Sequence, residues 1–240
     1  MLSVIHNFSI ICIMQIVKRD EDEMGYSQAQ KAESRKRVLD TAAKQIREGG
    51  IEALGVADCM RSAGLTHGAF YGHFASRDAL IVEALQHAMT GSADRLAALE
   101  DRASANSQTV LQSIADSYLS ERHVQDPGAG CALCALAGDT THAIPAVREV
   151  YTEYLLRFAA RLAKAAAGGN SEVGLGIAAT IVGAITLARA VDDPKLAQSI
   201  LSAAHAMVMS QEHGEEAAPA PAPDSEPAPS IRKSRSRFAS

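Results

Sequence analysis

GVADCMRSAGLTHGAFYGHFASR, residues 55–77, decides how this chain is read. Val56, Ala57, Cys59 and Met60 gather on one side of a short helix, with Asp58, Arg61 and Ser62 on the other. Ala63, Gly64 and Leu65 end it, because glycine accepts the left-handed backbone of a helix terminus without a side-chain clash and Leu65 folds back into the core. Thr66 is placed to cap a second helix over residues 67–74, which buries Phe70 and Phe74. Two short helices about a tight turn form a helix-turn-helix, the layout that carries one helix into a DNA groove. Its expected core is Val56, Met60, Leu65, Phe70 and Phe74.

Upstream, residues 34–48 supply a supporting helix: Val38, Leu39, Ala42, Ala43 and Ile46 recur at helical spacing until Gly49-Gly50. Between Lys31 and Arg77 stand eight cations (Lys31, Arg35, Lys36, Arg37, Lys44, Arg47, Arg61, Arg77) and five acids (Glu33, Asp40, Glu48, Glu52, Asp58), a net +3 in a chain of 240 residues whose formal charge is -5. A basic module in an acidic chain fits phosphate contact, since backbone charge dominates DNA affinity.

The run RKRVLDTAAKQIREGGIEAL at 35–54, followed by VADCMRSAGLTHGAFYGHFASRDAL at 56–80, resembles the tetracycline-repressor-like (TetR) family of bacterial one-component regulators over roughly residues 31–88. The resemblance implies a three-helix DNA-binding domain running into a connecting helix. It implies that Thr66, His67 and Gly68 face the major groove and that Tyr71 and His73 reach phosphate or base edges. Arg77, opening the next helix, is implied to touch phosphate, and Arg35 joins these residues from a short arm over 27–36. Gly55 departs from the pattern: the family usually has a Ser or Thr there, which caps the first helix and touches phosphate. Tyr71 has a second reading, as a half-buried core residue.

From about residue 90 to 210 the periodicity stays helical and strand-like alternation is absent, so the expected fold is all-α: a three-helix helix-turn-helix domain followed by a helical ligand-binding and dimerisation domain. One helix is expected over residues 107–122, with Val110, Leu111, Ile114, Tyr118 and Leu119 inward. Another opens at Pro145 and buries Val147, Val150, Tyr151, Tyr154, Leu155, Phe158 and Leu162. Residues 171–190 carry Gly174, Gly176, Ala178, Ala179, Gly183 and Ala184, a small-residue surface on a helix apolar almost all round, and a last helix follows over 194–209. Such a helix needs covering on more than one side, which a two-fold homodimer through 171–190 and 194–209 provides. Two reading heads then occupy successive major grooves of a palindromic operator, and an unidentified small molecule shifts their spacing and releases the DNA.

For that effector the candidates are Cys131, Cys134, His142, Tyr151, Tyr154 and Phe158, beside Leu133 and Leu136. Cys131 and Cys134 share a helix face, which leaves open a disulfide, a thiol-based redox or electrophile sensor, half a metal site, or two small buried hydrophobes. No further ligands stand at zinc spacing and no phosphate loop is present, so neither metal nor cofactor is expected and the chain is not read as an enzyme. A thiol oxidoreductase and a helical interaction protein without specific DNA binding are the readings from other classes. The four cysteines do not form a secreted disulfide framework, which points to the cytoplasm.

Residues 1–30 read as a leader and arm. MLSVIHNFSIICIMQIV is too short for a comfortable membrane span and lacks signal-peptide features, and Met24 is a natural start. The head is assigned to 31–90 and the regulatory domain to 91–210. Residues 211–240 form a Pro/Ala-rich acidic tail with a basic tip at Arg232, Lys233, Arg235 and Arg237, expected to be disordered.

Overall fold

A computed structural model describes residues 28–212, which fold into helices without strands. The leader, with Cys12 and Met24, and the tail from residue 213 lie outside the described residues. Helix α1 covers residues 28–49 and buries Val38, Ala42, Ala43 and Ile46, the expected stripe. Gly50, at φ 86, turns the chain. α2, Val56–Ser62, follows; it buries Cys59 and Met60, whereas Ala57 faces solvent. Gly64, at φ 74, makes the turn that its sequence position predicts.

The second helix of the motif differs from expectation. It is a 3-10 helix, His67–Gly72, ending two residues early. Thr66 does not cap it through its side chain; the backbone carbonyl of Thr66 accepts from the Ala69 N–H at 3.1 Å instead. Phe70 and Phe74 are buried and stack with ring centroids 5.8 Å apart, so tight aromatic packing rather than a cap fixes this segment.

Ser76 caps α3, Arg77–Ala105, by accepting from the Ala79 N–H at 3.1 Å. This helix passes through residue 90, the expected domain boundary. It packs against α4, α6 and α7, and its N-terminal half is joined to α1 by the Arg35–Glu83 and His87–Asp40 pairs. The single helix expected over 107–122 is two: α4, Val110–Tyr118, and α5, Glu121–Gln125. Thr109 and Ser120 each cap the helix that follows, and Ser107 sits at φ 55, so the apolar stripe is interrupted by local hydroxyl caps that compete with a continuous helix.

α6 (Ala132–Leu136), α7 (Pro145–Ala165), α8 (Ser171–Ala190) and α9 (Pro194–Ser210) complete the bundle. α8 lies between α7 and α9. Its length and mean hydropathy of 1.7 would suffice for a membrane span, but here it packs as a bundle helix with part of its surface buried. Its small residues divide between two faces. Gly174 presses against the Ala159 backbone of α7 so closely that a methyl group would collide with it, while nothing stands within 4 Å of a side chain built at Gly176 or Gly183.

Candidate nucleic-acid interface and regulatory cavities

The 3-10 helix has one buried and one open side. Phe70 fills the core, whereas Thr66, His67, Gly68 and Gly72 are exposed and Tyr71 stands 74% exposed. Val56 and Leu65 are only partly buried and pack at the edge of the core formed by Met60, Phe70 and Phe74. The alternative reading of Tyr71 as half-buried core is therefore corrected: its hydroxyl lies in the open, because Phe70 takes the inward position and meets the Tyr71 ring edge-on at 5.2 Å. His73 is half-buried. Its Nδ1 is enclosed without a hydrogen-bond partner among the described residues, and burial, then Lys31 and Arg35, push its basicity down.

Two arginines assigned to phosphate are engaged within the protein. Arg77 donates from Nε to the Leu54 carbonyl at 3.1 Å and from Nη2 to the Ile51 carbonyl at 3.0 Å and the Glu52 carbonyl at 3.2 Å. It thereby ties α3 to the segment between α1 and α2. Arg35 pairs with Glu83 and lies over the Phe74 ring at 4.9 Å. Lys36, Lys44 and Arg61 are paired with Asp40, Glu48 and Asp58. Much of the basic excess counted in the sequence is thus matched locally, and Lys31 and Arg37 are exposed cations of α1 with no acid partner among the described residues.

No single cavity is lined by all six candidate effector residues. Tyr154 and Phe158 line a 630 Å³ cleft between α3 and α7, together with Met89, Leu96, Arg157 and Lys164. The Tyr154 hydroxyl is buried without a hydrogen-bond partner among the described residues, as Ser92 Oγ already donates to the Ala88 carbonyl and accepts from Arg95 and from the Ala132 N–H. Tyr151 lies outside that cleft and donates to the Leu133 carbonyl at 3.0 Å. His142 is exposed at the end of the 3-10 turn Asp139–His142 and lines neither this cleft nor the cavity at Cys131.

Cys131 and Cys134 are buried free thiols. The hydrogen bond between them holds Cys131 below the ordinary thiol range and raises Cys134. Cys131 also borders a separate 270 Å³ cavity with Tyr118, His123, Arg95, Arg102 and Arg122, a cluster that spacing did not reveal because α3, α4, α5 and the following loop each contribute. Among the described residues, no group of three or more His, Cys, Asp or Glu side chains gathers to hold a metal ion.

Residues 38–84 match the family model described as bacterial regulatory proteins, tetR family. Among solved structures, the chain resembles a TetR-family transcriptional regulator from Cytophaga hutchinsonii (TM-score 0.65, 17% identity, covering 76% of this chain and 96% of that one). It also resembles one from Agrobacterium tumefaciens (TM-score 0.62, 17% identity, 76% and 99%). The reduced form of E. coli NemR is similar as well (TM-score 0.61, 18% identity, 74% and 95%). At these identities the likeness establishes the fold. Curated proteins give no match.

Proposed function

We propose that this chain, a member of the tetR family of bacterial regulatory proteins through its residues 38–84, is a homodimeric cytoplasmic repressor that binds a palindromic operator and leaves it when a small molecule binds. A DNA-binding regulator is the coarse reading that the family match and the helical fold support. One observation carries the finer reading: the open side of the 3-10 helix presents Thr66, His67, Gly68 and Tyr71 together while Phe70 and Phe74 anchor it from behind. In this reading His67 reads a base edge, and Gly68 lets the backbone approach the groove. Tyr71 donates to phosphate, with Lys31 and Arg37 adding charge from α1. Arg77 and Arg35 serve by fixing the head's shape, since their guanidinium groups are already engaged.

Dimerisation is supported by the outer face of α8 and α9. Leu175, Leu187, Leu196 and Met207 are exposed there, the last at 63%, beside the open Gly176 and Gly183. The head over 31–90 and the regulatory part over 91–210 share α3, so a ligand wedged between α3 and α7 at Tyr154 and Phe158 acts on a helix that reaches the head. A second reading, thiol sensing, is favoured by the two free thiols Cys131 and Cys134 standing three residues apart, and release of operator by iodoacetamide from the wild type but not from C131S tests it.

Selection of bound DNA from a random pool, followed by gel shift of the enriched sequence, tests the main reading. An inverted repeat bound by a dimer is the expected result. Recovery of no preferred sequence overturns it.

A further inference from the structure

The 270 Å³ cavity between α3, α4 and α5 has an unusual charge pattern for a space of its size. Arg95 and Arg102 enter it from α3 and Arg122 from α5, while Asp126 is its one carboxylate. Arg102 and Arg122 have no acid partner among the described residues, and both are exposed at the mouth. Deeper in, the His123 ring stacks on Tyr118 with centroids 5.0 Å apart. His123 Nε2 accepts from the Cys131 N–H at 3.4 Å, which leaves Nδ1 as the protonated nitrogen of the neutral ring. Burial, then the charges of Arg189 and Arg95, push His123 down to about 4, so the ring remains neutral in a positive field at neutral pH. Tyr118 is itself buried between His123 and Phe158, so the half-buried His123 ring is the aromatic surface beneath a rim of cations.

The short loop that borders this cavity is also the loop that touches the DNA-reading head. Arg95 Nη2 donates to the Gly130 carbonyl at 2.8 Å from the cavity side. Arg47 Nε, from α1, donates to the Gly128 carbonyl at 2.7 Å from the head side. Gly128 packs so closely on Glu48 that a methyl group there would displace the Glu48 carboxylate. Two guanidinium groups therefore converge on the carbonyls of Gly128 and Gly130, and burial, then the nearby charge of Arg95, depresses the basicity of Arg47. Next to this contact, Ile51 N–H donates to Asp139 Oδ2 at 2.9 Å.

We infer that the cavity is a regulatory site for a small carboxylate- or phosphate-bearing molecule, whose oxyanion draws Arg95 away from the Gly130 carbonyl and thereby loosens the loop that Arg47 grips. Arg102 and Arg122 supply the remaining charge, and the His123 ring, backed by Tyr118, accepts a flat apolar body. The anion shifts the head because it binds better to the state in which Arg95 is free than to the state in which Arg95 is tied to Gly130. This site is separate from the Tyr154 and Phe158 cleft, and only its operator arm rests on the regulator reading above.

The test uses the full chain with sodium benzoate and inorganic phosphate as probes and benzamide as the uncharged control. In calorimetry without DNA, at matched ionic strength, at least one of the two anions binds saturably and benzamide binds at least tenfold more weakly. R102Q/R122Q loses at least tenfold of that affinity, while R148Q, which removes a surface charge outside the cavity, loses less than twofold. With the selected operator present, the bound anion weakens DNA binding at least fivefold relative to chloride at equal ionic strength, and R47M retains anion binding but loses this effect. Absence of saturable binding by both anions, equal binding of benzamide, or full retention of affinity by R102Q/R122Q overturns the site. Anion binding with unchanged operator affinity overturns the loop coupling. Failure to find any operator, with anion binding intact, overturns the regulator reading and leaves the cavity assignment standing.

Discussion

Arg47 Nε donates to the carbonyl of Gly128 at 2.7 Å, joining positions 81 residues apart across the contact between head and bundle. A charged donor on a half-buried carbonyl is worth about 1 kcal/mol after allowance for solvent. R47M keeps the aliphatic stem but loses that bond, so urea unfolding should show a loss of about that size. Retention of full stability by R47M would mean that the contact is incidental.

Phe70 and Tyr71 are adjacent and make opposite predictions. F70A empties a fully enclosed position and should cost about 3 to 4 kcal/mol in chemical denaturation. Y71F leaves stability within about 0.5 kcal/mol, since the hydroxyl is exposed, but weakens operator binding about fivefold on every sequence tested. H67A should relax preference at one position in each half-site, measured by repeating the DNA selection. Equal sequence-independent losses from Y71F and H67A would contradict base reading by His67.

Leu187 is 57% exposed on the outer face of α8. L187E places a carboxylate in the proposed two-fold contact of each protomer and should raise the dimer dissociation constant by about a hundredfold, seen by sedimentation equilibrium. Operator affinity falls with it, because two half-sites then bind separate heads. An unchanged dimer places the interface elsewhere.

His123, held at about 4 against an ordinary value of 6.5, gives the fold an acid-sensitive position. Between those values the unfolded chain binds the proton and the folded chain does not, so stability rises with pH through this window and is lost as pH falls toward 4. The loss amounts to about 2 kcal/mol, after discounting for partial solvation. H123Q, compared with the wild type by thermal melting at pH 7 and pH 4.5, should have a shallower pH dependence. Identical slopes would assign the acid response to other groups.

The reading domain was legible because its signals are local. The spacing of Val38, Ala42, Ala43 and Ile46 gives α1, and Gly64 marks the turn at a left-handed φ. The 3-10 character of His67–Gly72 was not legible, since Phe70 and Phe74 fit either helical form and Thr66 looks like a side-chain cap. At Ser120 a hydroxyl cap splits an otherwise continuous apolar stripe, and periodicity does not register that competition. Candidate effector residues divided between cavities for a related reason: Tyr151 shares aromatic type with Tyr154 and Phe158, which line the α3–α7 cleft, but its hydroxyl is tied to the Leu133 carbonyl instead. The arginine cavity takes its members from two separated stretches, residues 95–102 and 117–131, and a sequence shows their charge but not their convergence.

Gly68 and Gly72 stand in open space, with nothing within 4 Å of a side chain added at either, and neither has a positive φ. Larger residues at these two places would extend from the free molecule without crowding Phe70 or Phe74. If this tip reads DNA as proposed, target choice is adjustable independently of folding: a descendant of this chain can acquire a new binding vocabulary by single changes there while the machinery behind it stays as it is.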